Sequence, residues 1–176
     1  MKIAFIGTHG TGKTTICHET VATLKKSGID SDFIGEKARE CPFEINESTT
    51  KNAQEWIIFE QYLRELEFGR IANVIICDRS VLDGYVYYYY KFGRNELLEH
   101  FVKEKIKTYS VLFKVPINQN YLYNDGTRSI NPAFQKGIDK AFDEVLQFLN
   151  IPFRVYENLN MAVELIKENA RSKSTI

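Results

Sequence analysis

Residues 3–6, IAFI, run directly into GTHGTGKTT, and this junction limits the fold more than any other stretch of the chain. The four apolar residues have the β-branched and aromatic character of a buried strand. Gly7, Gly10 and Gly12 then free the backbone, with His9 and Thr11 between them. Lys13, Thr14 and Thr15 follow, and from Thr14 a helical pattern runs to Lys26 before Ser27-Gly28 stops it. A strand that turns through glycines into a helix aims several backbone N–H groups and the positive end of the helix dipole at one point. Phosphate oxygens find donors there without a buried counter-charge. In the spacing G-x-x-x-x-G-K-[ST], filled by Gly7, Gly12, Lys13 and Thr14, the lysine reaches the β- and γ-phosphates and the threonine hydroxyl ligates Mg²⁺. The expected ligand is ATP with Mg²⁺, cradled by Gly7, His9, Gly10, Thr11, Gly12, Lys13, Thr14 and Thr15. His9 is read as a solvent-facing spacer in this cradle.

Four further strand-like runs follow: DFIG at 32–35, NVIIC at 73–77, SVLFKV at 110–115 and FRVYE at 153–157. Helix-length segments separate most of them, the pattern of an α/β fold with a parallel sheet covered on both faces. Trp56, Phe59, Leu63 and Leu66 predict the inward stripe of a helix over 53–69. Ile138, Phe142, Val145 and Leu149 predict another, ending before Ile151-Pro152. Residues 117–132 are polar and carry Asn, Gly and Pro, and a loop of that length in a compact domain is usually functional. With 176 residues and 44% hydrophobic content, a single domain over 1–176 is expected.

Composition narrows the function classes. Lysine plus arginine equal aspartate plus glutamate at 23 each, so no global field draws nucleic acid or an anionic membrane. KEKIK at 103–107 reads as a solvated helix face. Cys17, Cys41 and Cys77 form no CxxC pair, which suits a reducing cytoplasm. No apolar run approaches membrane length.

The third strand continues as CDRSVLDGY. Asp78 therefore emerges at the carboxyl end of an apolar strand, where open α/β sheets place ligands, and is expected to join Thr14 in holding Mg²⁺. Arg79 projects toward the same crevice and suits a transferring or acceptor phosphate. Ser80 is the expected helix cap, and Asp83 either shares the acceptor site or supports that helix N-terminus. No N-K-x-D or LSGGQ signature points to a signalling GTPase or a transporter ATPase, and on the third strand Asp78 is followed by Arg79 rather than by the glutamate of a ring-forming motor.

GTHGTGKTT, DRS at 78–80 and NDGTRSINPAF at 124–134 together resemble the P-loop kinase-like ATPase group that includes the nicotinamide riboside kinase domain. More loosely they resemble deoxynucleoside and thymidylate kinases. The resemblance implies a three-layer fold with a five-stranded parallel sheet in the order 2-3-1-4-5 and a short lid over about 117–132, whose arginine, here Arg128, closes on the phosphates. It also implies that Glu36, in FIGEKARECPF, accepts the proton of an attacking hydroxyl, and that Gln61 reads a base. If the acceptor is already a phosphate, Arg39 is the complementary candidate. EKARE replaces the EPV-like motif of the nucleoside kinases, so the acceptor stays open among nucleosides, nucleotides and ribosides. YVYYYY at 85–90 reads as core, as a subunit interface compatible with a homodimer, or as a stacking surface for an aromatic acceptor. The leading expectation is phosphoryl transfer from ATP; the alternative is a nucleotide-dependent regulatory module.

Overall fold

A computed structural model describes residues 1–69, 71–122, 126 and 128–173. Five strands, β1 (Lys2–Ile6), β2 (Ser31–Ile34), β3 (Val74–Asp78), β4 (Val111–Lys114) and β5 (Arg154–Val155), lie parallel in the order β2-β3-β1-β4-β5. This is the order the resemblance implies. In the central strand Ile3, Ala4, Phe5 and Ile6 are all fully buried. Pairing of Phe5 with Asp78 and of Ile6 with Lys114 brings the carboxyl ends of β1, β3 and β4 level. The β5 strand is shorter than FRVYE predicts, only two residues at the sheet edge.

Among the described residues six α-helices cover the sheet: α1 (Lys13–Lys26), α2 (Lys51–Phe68), α3 (Val81–Phe92), α4 (Glu96–Ile106), α5 (Pro132–Phe148) and α6 (Leu159–Lys173). Alternate residues of each strand face opposite sides, so the core divides into two layers. Ala4, Ile6, Ile75 and Cys77 pack against Val81, Leu82 and Tyr85 of α3 and against Ile138 and Phe142 of α5. Ile3, Phe5, Ile76 and Phe113 pack against Ile16, Cys17 and Leu24 of α1 and Val163 and Ile166 of α6. Among the described residues no helix is long and apolar enough to cross a membrane. Of the predicted lid, residues 123–125 and 127 lie outside the described residues.

The inward face of α2 differs from the spacing argument. Phe59, Leu63 and Leu66 are 44%, 52% and 52% exposed, whereas Gln54, Ile57, Ile58, Gln61 and Glu65 are buried. The polar members of that face are satisfied internally. Glu65 accepts from Lys2 Nζ at 2.5 Å, from Gln61 Nε2 at 2.8 Å and from the Tyr109 hydroxyl. A face that looks polar in sequence is therefore buried because its partners arrive from β1 and from the segment before β4.

The tyrosine run divides in the same way. Tyr85 is fully buried and donates to Glu99 at 2.6 Å, Tyr88 is nearly so, and Tyr90 packs over Gly137 of α5. Where α3 crosses α2, Gly84 permits the contact: a Cβ there would lie 2.6 Å from Ile58 Cγ1. Gly84→Val should cost about 1–3 kcal/mol through overpacking, lowering the thermal midpoint by roughly 2–4 °C per kcal/mol; a midpoint equal to wild type would show that the crossing is not close-packed.

Candidate active site

The glycine-rich loop folds as a cradle, and Gly12, at φ 85°, caps α1 in a left-handed conformation. A Cβ there would collide with the Tyr121 ring at 2.9 Å, and one at Gly10 would lie 2.8 Å from Leu122 Cδ1. The segment after β4 thus lies directly on the loop. Lys13 Nζ donates to Thr11 Oγ1 at 3.1 Å and to the Thr8 carbonyl. Burial lowers its pKa to about 8, and Arg79 adds to the effect. The Thr15 side chain is exposed, leaving that residue only its backbone to offer.

Side chains from two other helices hold the loop. The Gly7 N–H donates to Asp83 Oδ1 at 3.1 Å, and the His9 N–H donates to the Tyr87 hydroxyl at 3.1 Å. From α5, Gln135 Nε2 donates to the carbonyls of His9 and Gly10 at 2.8 and 3.2 Å, and the Gln135 backbone carbonyl accepts from Thr8 Oγ1 at 3.0 Å. A clamp that ties these carbonyls outward leaves neighbouring N–H groups to face the cradle. Tyr87 and Gln135 carry no motif; within YVYYYY and PAFQKG only tertiary contact distinguishes them.

His9 is not the solvent-facing spacer expected. It is 2% exposed, its ring 5.3 Å from that of Phe134 and its Nδ1 2.9 Å from the Tyr87 hydroxyl. Burial, followed by Arg79 and Lys13, lowers its pKa to about 4, so the ring is neutral near neutral pH.

Thr14 and Asp78 meet as the sequence predicts. Thr14 Oγ1 donates to Asp78 Oδ2 at 2.5 Å, while buried Asp78 Oδ1 has no hydrogen-bond partner. Burial, with Glu36 next, raises the Asp78 pKa. A hydroxyl beside a carboxylate with a spare buried oxygen fits Mg²⁺, which keeps few protein ligands and completes its shell with phosphate and water.

Glu36, two residues beyond β2, is the meeting point of three arginines. Arg79 Nε donates to it at 2.6 Å, Arg128 Nη2 at 3.0 Å, and Arg39 Nε lies 3.5 Å away. Burial opposes ionisation, but Arg79, Arg128 and Lys13 together hold the carboxyl well below the usual carboxylate range. Arg79 has φ 80° and also donates to the Gly7 carbonyl at 3.2 Å. Its guanidinium is therefore committed to the site's own frame. Arg128 additionally donates to Thr14 Oγ1 at 3.2 Å, reaching from the lid to both halves of the site. Asp83 closes a capping box with Ser80, and burial raises its pKa to about 6 against the pull of Arg79 and Lys13.

A pocket opens beside this cluster, lined among others by His9, Glu36, Arg39, Gln54, Ile57, Tyr87 and Arg128. Gln61 is not part of its wall; it is buried two turns further along α2 against Glu65. The glutamine that α2 presents there is Gln54, seven residues earlier on the same face, with Nε2 donating to Thr49 Oγ1 at 2.7 Å. A second cleft of about 450 Å³ lies across the loop, bounded by Thr11, Ile16, Asn118, Tyr121 and Tyr156.

Residues 2–161 match the family described as AAA domain, and the chain belongs to that family. No curated protein matches the sequence. Among solved structures, the deoxyadenosine kinase of M. mycoides with bound dATP is similar at 18% identity and TM-score 0.63, over 97% of this chain and 99% of that one. The same kinase with dCMP and dCDP superposes at 18% identity and TM-score 0.59, over 98% and 99%. The YorR protein of Bacillus subtilis, solved with phosphorylated GDP, gives 18% and 0.61 over 100% and 99%. The chain is a P-loop nucleotide-binding domain with a kinase-like fold.

Gln135→Ala should loosen the loop and weaken ATP binding about tenfold, the loss of roughly 1–1.5 kcal/mol of hydrogen bonding; calorimetric affinity equal to wild type would remove the clamp. Since Lys13 loses its proton as pH rises through about 8, ATP affinity should fall above that pH. Lys13→Arg should abolish this dependence, and an identical pH profile in that variant would assign the titration elsewhere.

Proposed function

We propose that the protein is an ATP- and Mg²⁺-dependent phosphotransferase whose acceptor is a hydroxyl of a small nucleoside- or riboside-like molecule. The observation that carries this reading is the position of Glu36 between the phosphate loop and the pocket, held by Arg79 and Arg128. A buried carboxylate at that point suits a hydroxyl and repels a phosphate. Arg79, the group otherwise suited to an acceptor phosphate, donates instead to Glu36 and the Gly7 carbonyl. The deoxyadenosine kinase neighbour, with its dATP and dCMP, supports this class of acceptor.

In this scheme the acceptor oxygen attacks the γ-phosphorus, the bond to the β,γ-bridging oxygen breaks, and the hydroxyl proton passes to Glu36. Lys13 and Arg128 neutralise the moving phosphoryl group and the departing ADP. Thr14 and Asp78 would hold Mg²⁺, which would supply positive charge against that building up on the triphosphate. Arg128 turning from Glu36 to the phosphates returns basicity to Glu36 as transfer begins. The donor base fits the cleft beside Tyr121 and Tyr156, and Gln54 takes the base-reading role first assigned to Gln61. We also read the whole chain as one domain working in a reducing cytoplasm, with Cys17, Cys41 and Cys77 as free thiols.

ATP consumption is measured with and without nucleosides, nucleotides and ribosides, and the products are identified by mass. One acceptor class should be phosphorylated. Equal turnover under all conditions with tight nucleotide retention would replace this reading by a nucleotide-dependent switch. Glu36→Gln should lower kcat by about 10²–10⁴ for a hydroxyl acceptor, and an unchanged kcat would remove Glu36 as the base.

A further inference from the structure

His9 is a residue of the phosphate loop that also lines the acceptor pocket. Its backbone N–H donates to the Tyr87 hydroxyl at 3.1 Å, and Nδ1 of its ring lies 2.9 Å from the same oxygen. The pairing that uses each donor once has the hydroxyl accept the backbone N–H and donate its own proton to Nδ1. The neutral imidazole then carries its hydrogen on Nε2. Thr8 Oγ1, 3.4 Å from Nδ1, donates to the Gln135 carbonyl and also bonds the Tyr87 hydroxyl. Nε2 is buried and has no hydrogen-bond partner, in a residue only 2% exposed. A buried donor left without a partner is destabilising, and the ring cannot rotate to relieve it without losing Tyr87 and its contact with Phe134. The Tyr87 ring and the amide of Gln54, which line the same pocket, suit a heteroaromatic ligand.

We propose that His9 Nε2–H hydrogen-bonds a carbonyl oxygen or ring nitrogen of the acceptor, so that the phosphate loop reads the acceptor's base as well as the donor's phosphates. The assignment rests on the phosphotransfer reading for the identity of the pocket's ligand. Tyr87 is the positioning residue, fixing the tautomer and the ring plane. Site residues are thereby shared between two substrates: the backbone of residues 7–14 serves the donor, and the side chain of His9 serves the acceptor.

The test combines spectroscopy and kinetics. With only three histidines in the chain, the His9 ring is assigned in ¹H–¹⁵N spectra by its loss in His9→Leu. The wild-type ring should show the neutral, Nε2-protonated tautomer, and Tyr87→Phe should mix the tautomers. In protein saturated with ADP and Mg²⁺, the Nε2 resonance should move on adding a nucleoside. His9→Leu should raise the acceptor KM about tenfold, the worth of one buried hydrogen bond, and by a larger factor than it raises ATP KM. His9→Gln, which restores a donor, should recover part of that loss, and it serves as the comparison if His9→Leu fails to fold. An Nε2 resonance unmoved by every nucleoside, or ATP KM rising in step with acceptor KM, overturns the assignment. Phosphoryl transfer with an unmoved resonance overturns it while leaving phosphotransfer standing; a nucleoside-induced shift without transfer upholds it and ends the phosphotransfer reading.

Discussion

Glu36 and Arg79 meet at 2.6 Å with their side chains 6% and 8% exposed, and the arrangement of the site follows from that pair. One partner comes from the end of β2 and the other from the end of β3, so the contact fixes how two neighbouring strands enter their loops. Arg79 reaches it with a left-handed backbone, a conformation costing about 1–3 kcal/mol in a residue with a side chain. The burial of two charges adds to that cost, and the pair persists because each charge satisfies the other. Arg79 also reaches the Gly7 carbonyl, and Arg128 reaches Glu36 and Thr14. Phosphate loop, pocket and lid segment are therefore joined through one carboxylate.

Much of this fold was legible in the sequence because the signals that define it are local. Short β-branched runs, glycines in the first loop, and Ser27-Gly28 after α1 each act within a few residues, and the strand order followed from the kinase-like motifs. What escaped was set by contacts between distant segments. Gln61 and Gln54 are both glutamines on one face of α2, seven residues apart, and only the course of the chain after β2 decides which borders the pocket. Gln135 reaches carbonyls 126 and 125 residues earlier; nothing around it in PAFQKG marks it. The exposed row of Phe59, Leu63 and Leu66 misled for a related reason, since the opposite face buries Glu65 with Lys2 and Tyr109 as partners. Hydrophobic periodicity counts apolar residues and does not register a polar face whose partners arrive from elsewhere.

His9 shows the same limit within a motif. Its position is one of the unspecified places in G-x-x-x-x-G-K-[ST], so the pattern assigns it no role. The structure gives it a wall of Tyr87 and Phe134 and removes it from water. A histidine so enclosed is neutral near neutral pH and behaves as a fixed dipole rather than a proton carrier.

The contact of Tyr121 with Gly12 and of Leu122 with Gly10 carries a further consequence for how such a chain changes over time. Backbone and side chain are pressed together there with no room for a methyl group. A side chain at either glycine is strained by its left-handed backbone (φ 61° and 85°) and, unless a smaller residue follows β4, also displaces the lid segment from its seat. Positions 10 and 12 on one side and 121 and 122 on the other form a single steric unit, free to drift only in concert.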